Sequence, residues 1–198
     1  MVVFTFGRMN PPTRGHEALI NAARKIRNNS GISEPVFVFV TATQNIPNNP
    51  LSVNEKLNIL NNMFRNVPNV RVIGLRPGKS SIKNALNQIR AHANGGVPTQ
   101  LVVGQNRINK GSFAFLNRLG IQRVPGGNRN MTSTNSGIGN IKKVSGTKTR
   151  QAAQRGENIK PYLSTKVSQN KAKRYRNIIK ARLNNPPPPQ KGTKRKRK

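Results

Sequence analysis

Two short stretches hold most of the side chains that could do chemistry. The first is Thr13-Arg14-Gly15-His16, set behind the pair Pro11-Pro12 and ahead of a helical pattern. Each proline fixes its own φ and restricts the residue before it, so the chain must turn tightly here. Thr13 is placed as a helix N-cap whose hydroxyl accepts a bond from the amide of Gly15 or His16. A helix start presents N–H groups and the positive end of the peptide dipole, which suits an anion. Gly15 lets a ligand approach the backbone, and His16 adds a ring donor in the first turn. The second stretch is Ser145-Gly146-Thr147, with Arg150 one turn later. Hydroxyls and amides at a helix start can wrap a phosphate, and a guanidinium can grip the same anion with a planar fork. By residue type alone, the same segment also suits an ordinary helix N-cap with a basic first turn.

Both stretches need a scaffold that brings them together. Residues 2–6 are a β-branched and aromatic run that reads as a buried strand, ended by Gly7. Ala18, Leu19, Ala22, Ala23 and Ile26 recur at helical spacing, and residues 28–31 stop that helix with turn chemistry. Residues 35–40 are fully apolar apart from nothing more than their backbone, as expected of a central parallel strand. Strand, helix and strand at this spacing form a βαβ unit with a right-handed crossover. The polar loop 41–50 leaves the carboxyl end of the second strand, the edge where ligands bind in open parallel sheets. Ser52 with Glu55 makes a capping box for a second helix, whose inward stripe is Leu57, Leu60, Met63 and Phe64.

Further along, residues 70–75 read as a third strand and 79–93 as a third helix with Ile82, Leu86 and Ile89 inward. His92, near the end of that helix, is read as a surface or packing histidine. Residues 101–104 are a fourth strand, and 110–119 a short helix through Phe113, Phe115, Leu116 and Leu119. The stretch 124–139 is rich in Gly, Asn, Ser and Thr and reads as a mobile loop. Residues 164–183 form a basic helix whose thin apolar face is Tyr175, Ile178, Ile179 and Leu183; it could lie on the domain or on a partner. A polyproline spacer, 186–189, leads to the cationic tail Lys194, Arg195, Lys196, Arg197 and Lys198, which suits solvent, a nuclear-import signal or a polyanion.

Composition narrows the partners. The 198 residues include 36 Lys and Arg against four Glu and no Asp, for a formal charge of +32. Such a surface repels itself and condenses onto polyanions, so nucleic acid comes first and acidic protein surfaces second. There is no cysteine, which removes disulfides and thiolate metal sites, and the two histidines are too far apart for a local metal motif. No run reaches the roughly 20 apolar residues of a membrane span. No basic region precedes an apolar one at the start, so no signal peptide is expected.

The wording GRMNPPTRGHE resembles the nucleotidyltransferase superfamily that carries T/HxGH, and most of all the cytidylyltransferase-like proteins of phages and large DNA viruses. The phrase NPLSVNEKLNIL and the segment VSGTKTRQAA, similar to the superfamily's S-S/G-T-x-x-R, extend the resemblance over residues 1–160. It implies a Rossmann-like three-layer α/β/α fold with a mainly parallel sheet, followed by a basic extension at 161–185 and the spacer and tail at 186–198. It also implies that Thr13 and His16 stabilise charge on an α-phosphate, while Gly7, Arg8, Asn10, Gly15, Ser145, Thr147 and Arg150 surround the nucleotide. Lys56 matches a lysine placed near the phosphates; by residue type alone it is a solvated helix residue. The fourth strand should end in Gly, a small residue, Asp and Arg; Gly104 and Arg107 match, but Gln105 and Asn106 do not. Asn106 keeps hydrogen-bonding capacity and lacks the charge an Asp would bring to a nucleotide, water or metal ion.

Two functions follow as expectations. One is an enzyme that joins a nucleoside triphosphate, accompanied by Mg²⁺, to a phosphate-bearing acceptor and releases pyrophosphate, with no metal ligand among its own residues. The other is a fold reused as a basic component of a viral particle, made in the host cytoplasm and bound to capsid proteins or to the genome through its tail, with no cofactor. Outside a virus, a nuclear or cytoplasmic location is expected. Most of the charge lies outside the two signatures, which favours the second expectation.

Overall fold

The computed structural model describes residues 1–79, 81–92, 97–104, 108, 113–126 and 144–185. Asn106, Arg107 and the tail Lys194–Lys198 lie outside them, as does most of the expected loop 124–139. Five parallel strands form one sheet: β1 (Val2–Gly7), β2 (Val36–Val40), β3 (Val70–Gly74), β4 (Pro98–Val103) and β5 (Gln122–Pro125). Their order is β3-β2-β1-β4-β5. β1 is therefore central, and the order reverses direction between β1 and β4, the kind of crevice where open sheets bind ligands. This is the expected Rossmann-like α/β architecture.

Alternation along the strands divides the core. Val3, Val36, Val38, Val40 and Val102 face one side, against α1 (Arg14–Asn29), α2 (Val53–Met63), α4 (Gly146–Gln154) and α5 (Gln169–Asn184). Val2, Phe4, Phe37, Phe39, Leu101 and Val103 face the other, against α3 (Ile82–His92) and Leu116 of a 3-10 turn, Ala114–Leu119. Phe37 and Phe39 stack with centroids 6.2 Å apart, and Phe4 meets Phe39 edge-on at 6.5 Å. The predicted strand-helix-strand order holds through β4.

Several elements differ from expectation. Residues 122–125 are an edge strand, not the start of a loop, and pair in register with Gln100–Val103. The segment near 110–119 contains a 3-10 turn that buries Leu116 and leaves Phe115 and Leu119 half exposed. The inward faces of α1 and α2 include the expected Ala23, Leu60, Met63 and Phe64, and add Ile20 and Ile59, which spacing did not pick. The basic helix α5 lies on the domain. Tyr175 and Ile179 are buried in the same core as Ile59, Leu60 and Met63, joined by Ile159, Leu163 and Val167. The Tyr175 hydroxyl accepts from Asn62 Nδ2 at 2.8 Å, and Arg182 pairs with Glu55 at 3.2 Å. The extension at 161–185 thus shares one core with the residues before it.

Candidate functional site

At the carboxyl ends of β1, β2 and β4 lies a cavity of about 420 Å³. Its described lining includes Gly7, Arg8, Asn10, Thr13, Gly15, His16, Gly104, Ser145, Thr147 and Arg150. Every expected nucleotide-binding residue among the described ones is therefore here, except Lys56. Two helix starts, of α1 and α4, meet at one spot although Gly15 and Ser145 lie 130 positions apart in the chain. Phe6, Val102, Val103 and Phe113 supply an apolar wall on the β1–β4 side, with Phe6 and Phe113 edge-to-face at 5.8 Å. Thr41, Asn48 and Asn49 supply a polar wall on the β2 side.

The start of α1 is held by its own residues. Thr13 is the N-cap and, with His16, forms a capping box: its side chain faces the His16 amide, as expected, although the contact falls short of a full cap bond. Its carbonyl accepts from the amides of His16 at 2.9 Å and Glu17 at 3.1 Å. The His16 ring reaches back: Thr13 N–H donates to Nδ1 at 3.0 Å, and the Thr13 hydroxyl lies 3.0 Å from the same nitrogen. Nδ1 must therefore keep its lone pair, which puts the proton of the neutral ring on Nε2. Local backbone bonding thus sets the tautomer needed for an N–H donor.

α4 is placed by contact with the first loop. Ser145 caps it through a bond from Lys148 N–H at 3.2 Å, and Thr149 Oγ1 donates to the Ser145 carbonyl at 2.9 Å. Arg150 Nη1 donates to the Asn10 carbonyl at 2.7 Å, while Nη2 donates to Thr147 Oγ1 at 3.2 Å. Burial, and then the charge of Arg8, lower the Arg150 pKa from its ordinary value. A guanidinium with that starting point stays charged at neutral pH. Gly146 lies so close that an added Cβ would sit 3.1 Å from the Asn10 carbonyl oxygen. A side chain here would need the first loop to give way by a few tenths of an ångström.

Two expected roles are corrected by these contacts. The Asn10 side chain does not face a ligand: Nδ2 donates to the Leu51 carbonyl at 2.9 Å and Oδ1 accepts from Leu51 N–H at 3.1 Å. A buried amide with both ends paired is a brace between the first loop and the entry to α2. Lys56 neither lines the cavity nor meets solvent; its exposure is 0%. Its ammonium donates to the carbonyls of Thr41 and Thr43, the latter at 3.3 Å. Burial, partly offset by Glu55, pushes its pKa down to about 8. Sequence offered no sign of this, because a lysine between Glu55 and Leu57 on a helix reads as solvated. His92, by contrast, is exposed, with Nδ1 2.7 Å from the Gln88 carbonyl.

No carboxylate lines the cavity, and all four Glu are among the described residues. Glu17 accepts from Ser164 Oγ at 2.7 Å, Glu55 from Ser52 N–H at 2.7 Å, and Glu157 pairs with Arg155. Glu34 precedes β2 and so lies at the opposite edge of the sheet. No group of three or more His, Cys, Asp or Glu that could hold a metal ion occurs among the described residues. Among the described residues the cavity's donors are hydroxyls, amides and an imidazole, a set that does not fit a divalent cation held by carboxylates. No helix among the described residues is long and apolar enough to cross a membrane.

No family profile and no curated protein matches the sequence. Solved structures do share the fold. The chain aligns over 92% of its length with a bifunctional NMN adenylyltransferase/ADP ribose pyrophosphatase from Francisella tularensis, at TM-score 0.62 and 16% identity. It aligns over 90% with a putative nicotinate-nucleotide adenylyltransferase from Vibrio parahaemolyticus, at TM-score 0.58 and 14% identity. It spans 52% of the first protein and 94% of the second. At these identities the likeness establishes the shared Rossmann-like α/β fold.

Proposed function

We propose that the protein binds the phosphates of a nucleoside triphosphate between the starts of α1 and α4 and transfers the nucleotidyl group to a phosphate-bearing acceptor. The observation that carries this reading is the convergence of Thr13, Gly15 and His16 with Ser145, Thr147 and Arg150 on one open cavity. In the step, an acceptor phosphate oxygen attacks the α-phosphorus. A new P–O bond forms, the bond to the bridging oxygen breaks, and pyrophosphate leaves with that electron pair. His16 Nε2–H and the first-turn amides of α1 stabilise charge on the α-phosphate. Ser145, Thr147 and Arg150 hold the β- and γ-phosphates. No side chain serves as nucleophile, so catalysis is positioning and electrostatic stabilisation. The shared fold with enzymes named as adenylyltransferases supports this class. The test is pyrophosphate release from a panel of nucleoside triphosphates with Mg²⁺, with nicotinate mononucleotide among the acceptors. Turnover that His16→Ala abolishes is expected; a wild type that neither binds nor turns over any triphosphate overturns the reading.

A second reading, a basic component of a viral particle bound to its genome or to acidic capsid surfaces, is favoured by charge. Lys173, Arg174 and Lys180 stay exposed on α5, away from the cavity, within a chain of charge +32. Contacts of this kind go to phosphates, not base edges. With about ten phosphates neutralised, log affinity should fall against log salt with a slope near −9. A flat salt dependence removes this role.

A further inference from the structure

The polar wall of the cavity is set from behind. The loop after β2 carries Thr41, Asn48 and Asn49 to the cavity, and Lys56 sits on its far side, fully buried, with its ammonium on the carbonyls of Thr41 and Thr43. Other bonds tie the same loop. Thr41 N–H donates to the Gly7 carbonyl at 3.0 Å, Asn45 N–H to the Asn49 carbonyl at 3.1 Å, and Gln44 Nε2 to the Pro50 carbonyl at 3.0 Å. Thr41 itself is 4% exposed, and its hydroxyl has no hydrogen-bond partner among the described residues. A buried hydroxyl left unpaired is costly, and Thr41 is one of the residues that line the cavity.

The two walls divide the work. A nucleotide at the reversal of strand order lies between β1 and β4, against Val102, Val103 and Gly104. The β2 wall is then left for the other substrate. Its lining is hydroxyl and amide, with no carboxylate to pair a cation.

We propose that Lys56 is a positioning residue for the acceptor: from behind the wall it fixes the Thr41–Asn49 loop, whose Thr41 hydroxyl and Asn48 amide meet a phosphate monoester with an uncharged body. Lys56 touches neither substrate. This rests on the nucleotidyltransferase reading for the acceptor, but the loop's dependence on Lys56 stands apart from it.

The experiment compares wild type, Lys56→Met, Thr41→Val and Gln44→Ala. Calorimetry measures binding of an α,β-methylene nucleoside triphosphate. It then measures ribose 5-phosphate or phosphocholine added to the loaded protein. Amide hydrogen exchange reads the loop. Lys56→Met should speed exchange at Asn45 and Asn49 while the sheet stays protected, and should weaken ribose 5-phosphate about ten- to a hundredfold. Thr41→Val should weaken it about tenfold without moving exchange. Triphosphate affinity should hold within about twofold in both, since a factor of two is well under 1 kcal/mol. Phosphocholine should bind wild type more weakly than ribose 5-phosphate. If Lys56→Met does not fold, Gln44→Ala should produce the same loop exchange and acceptor loss to a smaller extent.

The proposal is overturned if Lys56→Met lowers triphosphate affinity as much as acceptor affinity, because the ammonium would then face phosphates. It is equally overturned if loop exchange stays at the wild-type rate, or if Thr41→Val leaves ribose 5-phosphate binding untouched. A wild type that binds no triphosphate sinks the enzyme reading and the acceptor assignment together, while the exchange result still decides what Lys56 does.

Discussion

The two sides of the cavity are built by different means. The side made by the first 60 residues is a web of polar contacts: His16 on Thr13, Asn10 on Leu51, Lys56 on Thr41 and Thr43, and Thr41 on Gly7. The side made by β4, Phe113 and α4 is mostly apolar, and α4 is positioned against the first loop by the Arg150 bond to Asn10 and the close approach of Gly146. The first side can form from neighbouring segments. The second acquires its place only when the first exists. Disturbing each side should therefore give a different signature.

The largest expected effect is on the first side. His16→Ala removes the donor to the α-phosphate and should lower kcat about 100- to 1000-fold, with triphosphate affinity little changed. Steady-state pyrophosphate release and calorimetry separate the two quantities. A loss confined to affinity would mean that His16 only binds.

Next comes pH. Lys56 titrates near pH 8 in the folded chain against an ordinary 10.5. Between those values the unfolded chain holds a proton that the folded chain has released, so stability rises with pH across the window. Below pH 8 both states are protonated and the burial cost is full; above 10.5 both are neutral and it is gone. The difference between wild type and Lys56→Met should thus change by on the order of 3 kcal/mol across that window, as followed by urea unfolding. A pH-independent difference would mean the amine is not desolvated.

On the second side, Gly146→Ala forces a methyl against the Asn10 carbonyl. It should cost about 1–3 kcal/mol of stability and weaken triphosphate binding while leaving α1 intact. Thermal unfolding and calorimetry report it. The smallest effect separates the two helix starts. Ser145→Ala removes a hydroxyl that accepts a full cap bond and should cost about 1 kcal/mol; Thr13→Val should cost less, because the Thr13 hydroxyl makes only the weaker contact of the capping box and the His16 ring still bonds the Thr13 amide. Equal losses would erase the distinction.

Much of this was legible in the residues. The apolar runs of β1 and β2 and the Ser52–Glu55 capping box each rest on contacts within a few residues, and each is found; the residues of the two signature stretches line one cavity. What was hidden depends on distant partners. β5 has four residues with only Val124 apolar, and it is a strand because β4 offers a free edge. Asn10 reads as a ligand contact until Leu51, 41 residues away, occupies its amide. Lys56 reads as solvated until the carbonyls of Thr41 and Thr43, 15 and 13 residues away, take its ammonium. The docking of α5 was left open because its apolar face is thin; Tyr175 reaching Asn62 and Asn58 decides it.

The grip of Arg150 on Asn10 spans 140 positions of the chain. A ribosome therefore makes the first loop, and all of β1 to β5, before it makes the residue that ties α4 to that loop. Until then the growing chain carries only part of the cavity's lining, and a ligand that needs both helix starts can aid folding only after translation has passed α4.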